Sequence, residues 1–74
     1  MVTLIGIVAG EIWNLLEEKG DISIDALFEE MKTRVGRQIS RDLILMSLGW
    51  LCREGFIGLK ERKRGGIEVF LRED

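Results

Sequence analysis

At Gly55 the spacing of apolar residues changes period, and this change limits what the chain can fold into. Before it, Ile5, Val8, Ala9, Ile12, Leu15 and Leu16 fall on one arc at about 100° per residue, which predicts a helix over roughly residues 6 to 19, stopped by Gly20. Asp21-Ile22-Ser23 can run extended. Ser23 or Asp25 then caps a second helix carrying Ala26, Leu27, Phe28 and Met31, and residues 33 to 38 read as a turn. Ser40 is a good N-cap for a third helix, Asp42 suits its dipole, and the apolar pattern continues to Arg53 before Gly55 closes it. Past Gly55 the pattern alternates. Ile57, Leu59 and Glu61 form one set, Ile67, Val69 and Leu71 another, and Phe70 falls on the opposite face. Between them Arg62-Lys63-Arg64-Gly65-Gly66 reads as a turn, since paired glycines supply positive φ without steric cost.

Size narrows the possibilities further. The 74 residues are read as one domain, 1–74, with no linker or internal repeat. A chain this short buries only about 60% of the surface its unfolded form exposes, so it needs additional stabilisation. With one cysteine, Cys52, and no histidine, neither an intrachain disulfide nor a zinc site can supply it, which leaves self-association. The lack of histidine and tyrosine and the scarcity of hydroxyls also argue against an enzyme; Cys52 has no base to activate it and reads as a small helix residue. The pairs Glu17-Glu18 and Glu29-Glu30 read as solvated helix faces. No metal or cofactor is expected. No base precedes Lys19, and Gly6 and Gly10 interrupt the early apolar run, so no export signal or membrane attachment is read and a cytoplasmic location is expected.

The order of helix, brief strand, helix, helix and hairpin, with a basic hairpin tip, predicts an α+β winged helix-turn-helix. Three helices precede a two-stranded wing, with room for a short extra strand after the first helix. The segment Ile39-Ser40-Arg41-Asp42, followed by Leu48, Leu51 and Glu54-Gly55-Phe56-Ile57, resembles the third helix and wing start of bacterial winged-helix regulators. The string Gly49-Trp50-Leu51-Cys52-Arg53-Glu54, with Ile12-Trp13, resembles a small bacterial winged helix-turn-helix family of unestablished function. That resemblance covers nearly the whole chain. It implies the fold, a tendency to dimerise and a prior for binding double-stranded DNA.

The third helix departs from what DNA reading requires. Its outward positions in a DNA-reading member carry polar groups that reach base edges. Here, with Ile44, Leu48 and Leu51 facing the core, Leu43, Met46 and Trp50 share the outward arc with Asp42, Gly49 and Arg53. Two explanations of this stripe stand at this point. The apolar segment Met1 to Ile5 could fold back over Trp50, or Leu43, Met46 and Trp50 could form an interface with a second copy or another partner.

Charge is unevenly distributed although the net value is only −2. Residues 1 to 31 hold seven acids and one base, whereas residues 32 to 64 hold nine bases and three acids. Lys32, Arg34, Arg37 and Arg41 lie around the turn before the third helix, and Lys60, Arg62, Lys63 and Arg64 at the wing tip. Arg37, Arg41, Lys60, Arg62, Lys63 and Arg64 are the candidate nucleic-acid contacts, with Arg37 and Arg41 best placed for a base edge. Basic hairpin tips also keep edge strands soluble, and the acidic first half can pair with the basic second half in a dimer. The expected function is a non-catalytic, homodimeric protein with a basic wing that touches DNA. The alternative is a protein-interaction or dimerisation module without nucleic acid.

Overall fold

A computed structural model describes residues 2–72 of the chain. The elements run α1 (Val2–Lys19), β1 (Ile22–Ser23), α2 (Ile24–Arg34), α3 (Arg41–Arg53), β2 (Ile57–Glu61) and β3 (Ile67–Leu71). The predicted order holds, and the extra strand after α1 is present.

The start of α1 corrects the expected boundary. It begins at Val2, four residues earlier than predicted, and runs through Gly6 and Gly10 without a break. The apolar period explains this: Ile5 is half-buried one turn before Val8 and Ala9, so the core-facing arc continues through both glycines, which lie on the exposed side. Both caps at the helix-turn-helix are serines. The Ser23 hydroxyl accepts from the Ala26 amide at 3.1 Å, and the Ser40 hydroxyl from the Leu43 amide at 3.2 Å, each satisfying a donor that the first helical turn leaves free. Asp25 therefore lies inside α2, in its first turn. The turn between α2 and α3 begins after Arg34 and is braced by the Ile39 amide donating to the Gly36 carbonyl at 3.1 Å.

The sheet is antiparallel with strand order β1-β3-β2. Ile22 pairs with Val69 and Ser23 with Glu68, which anchors the base of the wing to the segment between α1 and α2. The β2–β3 register sets Ile57 against Leu71 and Leu59 against Val69 on one face, and Gly58 against Phe70 and Lys60 against Glu68 on the other. At the wing turn the Arg62 amide donates to the Gly66 carbonyl, and Gly65 and Gly66 take φ of 94° and 85°.

One core joins all these elements: Ile12 and Leu15 from α1, Leu27 and Met31 from α2, Ile44 and Leu48 from α3, Ile57 from β2 and Val69 from β3. Ser47 is also fully buried. It avoids an unpaired hydroxyl by donating to the Leu43 carbonyl at 2.8 Å.

Candidate nucleic-acid and self-association surfaces

The core side of α3 carries Ile44, Ser47, Leu48 and Leu51. On the opposite side Met46 keeps 57% of its surface exposed, Trp50 44% and Leu45 41%. Leu43 departs from the predicted outward stripe: it is half-buried and packs against the core, about a quarter turn from the exposed centre. Leu45 takes its place in the apolar surface. At 100° per residue Leu45 lies at the edge of that arc, beside the half-buried Cys52, where burial and exposure are hardest to separate.

Nor does the N-terminal segment fold back over Trp50. Residues 2–5 are the first turn of α1, and Met1 lies outside the described residues. Trp50 rests instead against Phe56, ring centroids 6.4 Å apart, and Phe56 meets Trp13 in a T-shaped pair with centroids 5.5 Å apart. This contact comes from the way α3 ends. Gly55, at φ 83°, donates its amide to the Cys52 carbonyl, and the Phe56 amide donates to Leu51, each at 3.0 Å. Such a left-handed helix end is commonly accompanied by an apolar contact from the second residue beyond the cap to the last helical turn, the place Phe56 and Trp50 occupy. The sequence signal for Phe56 was its position directly after Gly55.

Three of the seven acids in the first half of the chain are answered within the chain itself. Glu18 pairs with Arg34, Glu30 with Lys19 at 3.6 Å and Glu29 with Lys32 at 3.2 Å. Two cations that sequence placed in the basic region before α3, Lys32 and Arg34, are thereby committed to α1 and α2 carboxylates. Arg37 and Arg41 keep no carboxylate partner among the described residues. Arg37 is exposed in the turn. Arg41, the first residue of α3, lays its guanidinium 4.3 Å from the centre of the Phe28 ring, at the rim of a groove of about 350 Å³ lined also by Asp25, Glu29 and Ile39.

At the wing tip Lys60, Arg62, Lys63 and Arg64 are all exposed. Arg62 reaches Glu68 at 3.5 Å, and the same carboxylate belongs to the strand residue opposite Lys60. Lys63 and Arg64, in the turn, have no carboxylate partner among the described residues. The six candidate cations thus form two groups on different elements: the α3 start with Arg37 and Arg41, and the wing with the other four. Both can meet phosphate oxygens, whose recognition needs accessible positive charge rather than a shaped pocket.

Burial pushes the Cys52 thiol above its ordinary value, which makes the thiolate scarce at neutral pH. Among the described residues no group of His, Cys, Asp or Glu is arranged to hold a metal ion, and no helix is long and apolar enough to cross a membrane.

Comparison with curated proteins and with solved structures returns no match. A family model described as Winged helix-turn-helix domain (DUF2582) matches residues 1–71. The match spans all three helices and the wing as far as Leu71, so this chain belongs to that winged helix-turn-helix family.

Proposed function

We propose that the chain is a non-catalytic, homodimeric winged helix-turn-helix protein of the cytoplasm that holds double-stranded DNA by its phosphate backbone, chiefly through the wing. The observation that carries this reading is the contrast between the two halves of the charge distribution. Glu18, Glu29 and Glu30 are answered by Arg34, Lys32 and Lys19, while Lys63 and Arg64 project from the wing turn with no carboxylate partner among the described residues. Exposed cations on a narrow hairpin suit a duplex groove, and their contribution comes from counterion release. The exposed side of α3 offers Leu45, Met46 and Trp50 in place of base-reading groups, so affinity depends little on sequence.

The test is duplex binding across a salt series, comparing the wild type with the triple variant Arg62→Ala, Lys63→Ala, Arg64→Ala. Loss of two or three phosphate contacts per wing is expected to flatten the slope of log K against log salt by about 2 to 3 for each wing engaged. Unchanged affinity and slope would remove the wing from the assignment. A second reading, an interaction module without nucleic acid, is favoured by the same apolar α3 surface; no duplex binding by the wild type at low salt would select it.

A further inference from the structure

The exposed side of α3 has an internal symmetry that a second copy of the chain can match. Opposite the core the helix presents, in order, Asp42, Leu45, Met46, Gly49, Trp50 and Arg53, all exposed. The midpoint between Asp42 and Arg53 lies between Ser47 and Leu48, as do the midpoints of Met46 with Gly49 and of Leu45 with Trp50. A two-fold axis at that midpoint turns the face onto itself with the helix direction reversed.

At about 100° per residue, Asp42 and Arg53 both lie within about 10° of the line directly opposite the core. Met46 and Trp50 fall to one side of that line, and Leu45 and Gly49 to the other. A two-fold perpendicular to the helix keeps each side with its own kind. Met46 then meets Trp50 of the other copy, Leu45 lies over the other copy's Gly49, and Asp42 faces the other copy's Arg53. Each large side chain meets a complement: a thioether against an indole, and a leucine above a glycine that leaves its space open. The space at Gly49 is real, since a Cβ built there has nothing within 4 Å. Each acid meets a base, twice over by symmetry.

We propose that two copies associate through antiparallel α3 helices crossing at the level of Ser47 and Leu48, with Asp42 of each chain facing Arg53 of the other. This rests on the homodimer reading above and assigns its register. It also occupies the helix that would otherwise enter a major groove, leaving the two wings as the surfaces free for nucleic acid.

Asp42 and Arg53 are about 16 Å apart along one helix, too far to pair within a chain, so charge exchange between chains reports the contact directly. Sedimentation equilibrium at low ionic strength would compare wild type, Asp42→Arg, Arg53→Asp and an equimolar mixture of these two variants. Each variant alone sets like charges against each other and is expected to raise the dimer dissociation constant about tenfold or more. The mixture, in which each pair of opposed charges is again opposite in sign, is expected to recover most of that loss as heterodimer. As a second variant, Gly49→Leu fills the space Leu45 needs and is expected to weaken association at least as much, while improving helix propensity and so keeping the fold.

A mixture that associates no more tightly than its components, or an unaltered constant for Gly49→Leu, overturns the register. The wild type would still be a dimer, and the homodimer reading would stand. A wild type that remains monomeric at every concentration overturns both.

Discussion

Gly58 is fixed by the residue across from it rather than by its own backbone. Its φ is not among the positive ones, yet a Cβ there would come within 2.4 Å of the Phe70 ring, which lies across the strand pair over the bare glycine. Gly58→Ala forces that ring aside and is expected to cost about 1 to 2 kcal/mol in chemical denaturation. In a Phe70→Ala background the same change should cost nothing, because the clash is gone; equal costs in both backgrounds would show that the ring is not what requires glycine. Position 58 was legible in the sequence only as a gap in an alternating pattern, since the partner that gives it meaning is twelve residues away. Ser47 was obscured for a different reason. It falls on the core arc with Ile44, Leu48 and Leu51, but its hydroxyl argues for the surface until the bond to the Leu43 carbonyl is known. The raised Cys52 pKa carries its own expectation. A neutral thiol favoured by the fold adds stability that is full below the unfolded pKa and is lost as pH rises through the folded one. Alkylation of native Cys52 should accordingly be slower than that of the unfolded chain at the same pH.

The elements were legible wherever a local signal set them. Ser23 and Ser40 cap α2 and α3, the paired glycines turn the wing, and the change of period at Gly55 separates helix from hairpin. The predicted start of α1 falls four residues late, at Gly6, although Ile5 already continues the core-facing arc; a glycine in a packed helix is only a penalty of about 1 kcal/mol relative to alanine. Gly6 and Gly10 both have open space where a Cβ would go, and neither has a positive φ. Gly6→Ala and Gly10→Ala are each expected to raise stability by about 0.5 to 1 kcal/mol, read as a higher denaturation midpoint with unchanged m-value. A loss of stability at either site would mean that its exposed surface is covered in solution by another chain. The Glu18–Arg34 and Lys19–Glu30 pairs between α1 and α2 could not be found from sequence, because they depend on how two helices cross. With one exposed and one half-buried partner in each, they are worth little individually. The Glu18–Arg34 pair has a larger effect on the surface potential, because it removes one of the cations that the sequence had assigned to the region before α3.

For the molecule as a whole, the proposed dimer would link the α3 surface and the wing through the number of copies. A winged helix whose third helix is engaged by its twin carries two basic wings on one particle, and the second wing to reach a duplex does so at the effective concentration set by the first. Trp50 stands where this linkage can be broken. Its ring packs on Phe56 yet keeps 44% of its surface exposed, so Trp50→Glu places a charge in the proposed contact while leaving the buried core residues in place. The variant is expected to sediment as a folded monomer, with the helix content of the wild type by circular dichroism. Its wing is untouched, so each chain should retain its own phosphate contacts. Duplex affinity should nonetheless fall, and the salt slope should drop to about half that of the dimer, because half as many phosphates are neutralised in one binding event. A short duplex that accommodates only one wing should bind the wild type and Trp50→Glu alike. If the monomeric variant keeps the full slope on long duplexes, the wings act singly and dimerisation serves stability alone, in keeping with a chain so short that it buries only about 60% of its surface unaided.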